Sequence, residues 1–225
     1  MTFAPQDPTM QAPSRADAAA RALHRIGGTL CRRTSIDVPG LAGLYDAHAV
    51  IVVDGARLTG ALGSFTGGAW RAGQQAFDKI TVLTRHPGMQ HPTPLVYAEH
   101  VLTVFLHELT HLMAFHSDLV DTTGPEHSFH TDDFARIARR MGLHVEHRPG
   151  HRAGLFTPNL TTAGRARHAD LLQQLIVLRL GSVRGIGMAG PPGFTGALPD
   201  PPPGIFTTAT TTSASFLSSN PNPNK

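Results

Sequence analysis

Cysteine and charged residues are scarce in this sequence, and each shortage excludes a class of protein. Of 225 residues only Cys31 is a cysteine, so the chain forms no internal disulfide. It also forms no zinc ribbon or classical finger, which need two or more cysteines. Charged residues make up 16% and apolar residues 40%. This balance predicts one domain with a moderate core and excludes a coiled coil.

Long hydrophobic runs are also missing. The longest apolar stretch, from 95 to 106, is interrupted by Glu99 and His100, which makes it too short and too polar to span a bilayer. The first 13 residues lack the basic start and apolar run of a secretory signal. Together these features predict a cytoplasmic protein that does not associate with membranes.

The positive charge of the chain is small and dispersed. The formal net charge is +3, with 17 arginines and 2 lysines, and no run of five basic residues occurs. A dedicated nucleic-acid patch would concentrate such residues on one face or segment. The pattern therefore favours an ordinary, mildly basic surface and at most a weak association with nucleic acid.

Composition divides the chain into three parts. Residues 1–13 are rich in proline and are expected to be disordered, whereas 14–182 carry the periodic apolar patterns of a domain. In 185–225, 27 of 41 residues are Gly, Pro, Ser, Thr or Asn. A segment of this composition buries too little apolar surface to offset its ordering entropy. We expect a disordered Pro/Gly/Thr-rich tail there.

The first half of the domain combines a helix with extended segments. Ser14 to Arg33 has the cap and the apolar stripe of a helix. Three strands are predicted, at His48–Asp54, between Leu58 and Trp70, and at Lys79–Thr84. They are expected to form a small, mainly antiparallel sheet.

The second half of the domain is predominantly helical. The strongest helix is predicted from Leu95 to His116, and shorter ones at Thr131–Met141 and from Thr161 or Thr162 to Leu180. A short strand is expected at Leu143–Glu146. The predicted architecture is α+β, with the sheet packed on helix 95–116.

That helix contains His-Glu-Leu-Thr-His, the H-E-x-x-H pattern, at 107–111. At about 100° per residue, His111 lies one turn from His107 and about 40° away from it, so both imidazoles face one point. They can bind one Zn²⁺, while Glu108 lies beside that face and reaches a bound water without being a ligand. Zinc lowers the pKa of this water to about 7, and the carboxylate can then accept its proton.

A catalytic zinc ion takes a third protein ligand, and the same helix offers none. His116 lies about 180° around the helix from His107, and His100 lies roughly 10 Å away along the axis. The metzincin pattern would require Gly and His at two positions that are here occupied by Ala114 and Ser117. That family is therefore excluded.

Beyond the helix, four residues come into question. Glu126 is in a predicted loop and Glu146 follows the second helix, and both fit poorly as ligands. His127 and His130, immediately before the helix that begins at Thr131, remain as candidates. The spacing alone leaves both of them open.

At this point the sequence resembles the SprT-like zinc metallopeptidases. That family has an HExxH helix, a variable loop, and a histidine four residues before a phenylalanine in a helix that ends near Gly-Leu. The corresponding elements here are 107–111, the loop 117–129, His130 to Phe134, and Gly142-Leu143. The resemblance covers about 15–182 and is specific between 100 and 145.

The similarity is to compact actinobacterial or mobile-element members, because the C-terminal cysteine zinc ribbon of many relatives is missing. It implies a zincin-like fold, one Zn²⁺ held by His107, His111 and His130, and Glu108 as the general base. The implied activity is that of a zinc metalloendopeptidase acting on a protein or peptide. The role of larger relatives in repairing DNA–protein crosslinks is not transferred.

Two other functions are compatible with the motif. One is a nucleic-acid-associated accessory protein that keeps a structural or vestigial zinc site, although the intact Glu108 argues against it, because structural zinc needs no base. The other is a zinc hydrolase that cleaves a non-peptide amide. For the peptidase, the strand Lys79–Thr84 is expected to form a rim to which an extended substrate adds.

Overall fold

The computed structural model describes residues 14–54, 62–84, 93–124, 129–147, 154–180, 186–191 and 194. Within these ranges the chain forms a mixed α+β fold with two small sheets. The predicted disorder of 1–13 and of most of the tail lies outside the described residues. In the described part of the chain, no helix has the length and apolar character required to cross a bilayer.

Six helices are described: α1 (Arg15–Thr34), α2 (Leu41–His48), α3 (Pro94–His116), α4 (Asp132–Arg140), α5 (Thr162–Arg167) and α6 (Ala169–Leu178). Side-chain caps mark several starts. Ser14, Thr93 and Thr131 each accept a hydrogen bond from the backbone N–H three residues later, which satisfies a free donor of the first turn. These caps explain why the predicted boundaries of α1, α3 and α4 agree closely with the structure.

Eight strands are described: β1 (Ala49–Asp54), β2 (Gly63–Ala72), β3 (Gln75–Leu83), β4 (Thr122–Thr123), β5 (Phe129–His130), β6 (Glu146–His147), β7 (Leu155–Phe156) and β8 (Ile186–Ala189). The larger sheet has the order β2-β3-β1-β8, and the smaller has the order β4-β5-β7-β6. In the larger sheet β1 and β3 run parallel, whereas β2–β3 and β1–β8 are antiparallel. The sheet is thus mainly antiparallel, as predicted, with one parallel pair.

The position of β3 contradicts one prediction. Because the β2–β3 hairpin folds back beside β1, β3 lies inside the sheet, and its backbone pairs with β2 and β1. The strand predicted at Lys79–Thr84 is therefore not a rim to which a peptide can add. Among the described strands, β2 and β8 form the edges of the larger sheet.

The prediction that 185–225 lacks structure is wrong for 186–189. These residues form β8, which pairs with β1 and packs on α1. A Cβ atom on Gly187 would lie 2.1 Å from the carbonyl carbon of Ala16, so the close approach to α1 depends on glycine at this position. Pairing with the open edge of β1 gives this short Ile-Gly-Met-Ala segment hydrogen bonds that the composition of the surrounding tail does not reveal.

Three smaller features also differ from the prediction. The last helix is divided into α5 and α6 because His168 has φ −109° and ψ 18°, outside the helical region. The strand predicted at Leu143–Glu146 is reduced to an isolated bridge between Leu143 and Leu160, followed by β6. Helix α2 was not predicted, and it ends at His48, which was expected to begin the first strand.

Helix α3 occupies the centre of the fold, between the larger sheet on one side and α4 and α6 on the other. Every residue from Val101 to Leu112 is buried, including the polar ones of the HExxH motif. Phe105, Leu109 and Phe134 are 0% exposed and belong to the hydrophobic core. The motif thus faces the interior of the domain.

Candidate metal centre

Three imidazoles converge between α3 and the smaller sheet. His107 and His111 lie one turn apart on α3, and their Nε2 atoms are 3.2 Å apart. His130, on β5, completes a group whose ligand atoms all lie within 4.8 Å of one another. Nitrogen ligands at 2.0–2.1 Å from a tetrahedral zinc ion would be about 3.3 Å apart. The spacing of the α3 pair matches this value.

Each of the three rings is held at its outer nitrogen. Nδ1 of His111 lies 2.6 Å from Oδ2 of Asp121, and Nδ1 of His130 lies 2.8 Å from the carbonyl oxygen of Leu155. A carboxylate and a carbonyl only accept, so both Nδ1 atoms carry the proton and both Nε2 atoms keep a lone pair. Nδ1 of His107 lies 2.7 Å from the hydroxyl of Thr157. Such outer partners orient metal-binding histidines.

The smaller sheet and the start of α4 fix the position of His130. Its strand pairs with Thr122 on one side and Leu155 on the other. The next residue, Thr131, caps α4 and donates its hydroxyl to the carbonyl of Val120. The backbone N–H of Thr131 also donates to the carbonyl of Asp121. The partner of His111 and the third histidine are therefore held by one local framework.

Phe134 packs against all three imidazoles from the buried side. Its ring is stacked on His130 at 4.0 Å between centroids, and lies 4.9 Å from His107 and 4.8 Å from His111. Phe134 lies in the first turn of α4, directly after the extended residues His130 and Thr131, and the turn of the chain there places its ring against the cluster. It closes the core side of the centre with apolar surface.

Burial favours the neutral form of two of the imidazoles, His107 and His130. Burial, followed by the neighbouring His130 and His111, holds the pKa of His107 well below its usual value. Burial is also the main reason that the pKa of His130 falls to about 4. Burial raises the pKa of Asp121, but the hydrogen bond and charge of His111, together with hydrogen bonds from Thr122 and from the backbone N–H of Asp121, outweigh this and the net pKa is lowered. Neutral histidines near an ionised carboxylate suit a divalent cation.

Glu108 is buried between α3 and β2. Its side chain is almost fully enclosed, its Oε2 atom has no hydrogen-bond partner, and burial raises the pKa of its carboxyl well above the usual value. A Cβ atom on Gly63 of β2 would lie 2.8 Å from Oε1 of Glu108. Glycine at this position therefore leaves the space that the carboxyl occupies. An unpartnered buried oxygen next to a metal-type cluster is a feature of functional sites.

The remaining candidates of the sequence lie elsewhere or outside the described residues. His116 points away from the cluster, as its helical position predicted, and contacts Asp78. Glu146 lies on β6, 3.3 Å from Nδ1 of His144. His127 and Glu126 lie outside the described residues.

Sequence reasoning missed the residues that surround the histidines. Asp121 is 10 residues from His111, and Thr157 is 50 residues from His107. Neither belongs to a motif, and no periodicity marks them. A carboxylate in the loop after an HExxH helix is the one signal that would have drawn attention to Asp121, since such histidines commonly donate to a carboxylate.

No protein-family model matches the chain, and neither does any curated protein or any solved structure. The resemblance to SprT-like peptidases remains a prediction that depends on the residues between 100 and 145. The function of the chain is therefore argued from the side chains that the fold brings together.

Proposed function

We propose that this chain is a zinc-dependent metalloendopeptidase of the SprT-like type with a zincin-like fold. His107, His111 and His130 hold one Zn²⁺, and Glu108 is the general base. The observation that carries the proposal is the convergence of three imidazoles, each held at Nδ1, beside a buried carboxyl that has an unpartnered oxygen.

The donor set fits a catalytic zinc ion. Three histidines are one of the known catalytic ligand sets, and they leave a fourth position open, whereas structural sites use four protein ligands. When bound, zinc polarises a carbonyl oxygen and lowers the pKa of a water molecule. Within the described residues, the three histidines are grouped with no fourth protein ligand. This supports a catalytic over a structural role.

Glu108 performs the proton transfers in this proposal. Its carboxylate accepts a proton from the attacking water and then donates it to the amine that leaves when the peptide bond breaks. The apolar surroundings of the carboxyl raise its affinity for the proton, which favours the first transfer, from water to the carboxylate. Gly63 and Val104 define the space in which the side chain is held, because an added Cβ at 63 would approach both Val104 and Glu108.

Strand β2 is the proposed docking edge for the substrate. It is an edge among the described strands of the larger sheet, and its first residue, Gly63, lies against Glu108. An extended peptide that adds to a sheet edge gains main-chain hydrogen bonds. A peptide paired with β2 near Gly63 would bring its backbone close to the catalytic carboxyl. This assignment replaces the predicted rim at Lys79–Thr84.

The test of the proposal is the substitution Glu108→Gln. Glutamine keeps the size and polarity of the side chain but cannot act as a base, so cleavage of casein or histone should fall ~10²–10⁴-fold. Zinc content should stay unchanged. Glu99→Gln is the matched control: it lies on the same helix, its carboxylate pairs with Arg165 at the surface, and its activity should equal that of the wild type.

Two results would contradict the proposal. If Glu108→Gln releases the metal, Glu108 is a metal ligand, and its assignment as the general base of the HExxH motif is wrong. If the wild type and Glu108→Gln are equally inactive on every peptide and bind DNA alike in a salt-dependent manner, the accessory-protein function is favoured instead.

A further inference from the structure

We propose that the chain carries a second metal site, formed by His48, Asp78 and His116, which binds a divalent transition-metal ion and specifically Zn²⁺. One ligand atom of each residue lies within 4.8 Å of the other two. This cluster, called the 48/78/116 site below, shares no residue with the three-histidine centre. It goes beyond the proposed peptidase activity and does not depend on it.

The three residues come from three elements that meet at one end of α3. His48 is the last residue of α2, His116 is the last residue of α3, and Asp78 lies on β3 in the middle of the larger sheet. Because His116 is nine positions after His107, it projects from the opposite side of α3. The helix therefore separates the two sites.

Asp78 is the buried anchor of the site. Its side chain is 3% exposed, its Oδ1 atom accepts the backbone N–H of Gly68 at 2.7 Å, and its Oδ2 atom lies 2.6 Å from Nε2 of His116. The N–H of Gly68 is available because β2 and β3 lose their register between Thr66 and Trp70. A carboxylate at this depth is costly without strong partners. Because a carboxylate only accepts, His116 donates its Nε2–H to Oδ2 in the metal-free chain. A bound cation would take the place of this proton and compensate the charge of Asp78.

His48 is hydrogen-bonded at one ring nitrogen and keeps a lone pair on the other. Its Nδ1 atom lies 3.2 Å from the carbonyl oxygen of Ala76, and this oxygen can only accept, so Nδ1 carries the proton and Nε2 does not. The rings of His48 and His116 lie 4.8 Å apart, tilted by 32°. A histidine held at Nδ1 by a backbone carbonyl has the arrangement that orients metal ligands.

The ligand types of the 48/78/116 site indicate which metal ion it prefers. Calcium and magnesium take oxygen ligands, whereas two imidazoles and one carboxylate suit zinc and its neighbours in the first transition row. The side chain of His116 is 18% exposed, which gives an ion access from solvent. An ion bound here would join α2, β3 and the last turn of α3. We therefore assign the site a stabilising role for the helix that carries the HExxH motif.

The test is the zinc content of the untagged full-length chain after equilibrium dialysis. The wild type should bind two equivalents, and His48→Ala should bind one. His24→Ala is the matched control, since His24 is also half-buried and bonded to a backbone carbonyl, that of Ala49, but belongs to neither cluster. It should retain two equivalents.

A second variant keeps the inference separate from the peptidase proposal. The double substitution His107→Ala with His111→Ala leaves the 48/78/116 site intact and should bind one zinc, with a melting temperature that rises when zinc is added. Adding His48→Ala to it should remove both the remaining zinc and the thermal shift. A Co²⁺ titration of the unmodified chain, followed by visible absorption, should show two equivalents.

Each other outcome is decisive. One zinc in the wild type that disappears in the double variant would overturn the second site and leave the peptidase proposal standing. One zinc that persists in the double variant and disappears with His48→Ala would support the second site and oppose the three-histidine centre. A second zinc that survives both His48→Ala and His116→Ala would also overturn the assignment.

Discussion

Replacing Asp121 by asparagine should weaken zinc binding without removing any ligand. Oδ2 of Asp121 lies 2.6 Å from Nδ1 of His111, and the carboxyl also accepts from the hydroxyl of Thr122 at 3.3 Å. The side chain of His111 is 0% exposed and that of Asp121 is 18% exposed. The pair is therefore shielded from water, and its charge interaction is stronger than at the surface.

The magnitude follows from the kind of interaction that is lost. Asparagine has nearly the same size and can still accept one hydrogen bond, so the substitution removes the charge and leaves the packing. Loss of such an outer partner typically reduces metal affinity 10–100-fold, which is about 1.4–2.7 kcal/mol. The charge matters because the carboxylate makes the imidazole a better electron donor and holds it in the tautomer that presents Nε2.

The assay is a competition titration of zinc between the protein and a chelator of known affinity. Asp118→Asn is the matched control: Asp118 is three residues earlier, is exposed, and has φ 51°, a conformation that asparagine tolerates. The metal-free Asp121→Asn protein should melt close to the wild type. Equal zinc affinity of Asp121→Asn and wild type would refute the role of Asp121, and so would an equal loss in Asp118→Asn.

Three further outcomes are expected. In Gly63→Ala, the new Cβ would lie 2.6 Å from Cγ1 of Val104. Overpacking should lower the free energy of unfolding, measured in urea, by about 1–3 kcal/mol, and displacement of Glu108 should reduce cleavage. A Gly63→Ala protein as stable as the wild type would contradict this packing. Burial lowers the pKa of His168, so on acidification the unfolded state binds a proton that the folded state does not bind. Metal-free protein should therefore lose stability as the pH falls through about 6.5. In His168→Asn this pH dependence of stability should be weaker, and an unchanged slope would contradict the role of His168. Truncation after residue 184 removes β8 and should lower the melting temperature by several degrees, whereas truncation after residue 194 should not. Equal melting temperatures of the two truncated proteins would contradict a stabilising role for β8.

Local patterns predicted the elements whose stabilising contacts are close in sequence. Helix 95–116 was expected from its apolar spacing, and the structure gives α3 at Pro94–His116. The same local geometry predicted that His107 and His111 face one point, and their Nε2 atoms are 3.2 Å apart. Helical spacing is set by the backbone alone, so it can be read without knowledge of the rest of the fold.

Elements that depend on distant partners were not predictable in this way. Strand β8 is formed because β1 offers a free edge, and the composition of the segment 185–225 that contains it is that of a disordered tail. Helix α2 and the division between α5 and α6 are similarly decided by packing. Local propensity is a weak guide wherever tertiary contacts provide the larger free energy.

His116 separates the two contributions most clearly. The sequence by itself determined that this histidine lies on the opposite side of α3 from His107, because nine residues make two and a half turns. That it meets Asp78, 38 residues earlier in the chain, and His48 at the end of α2 was decided only by the tertiary structure. The spacing within one helix follows from backbone geometry, whereas the spacing between elements follows from how the sheet and helices pack around a shared core.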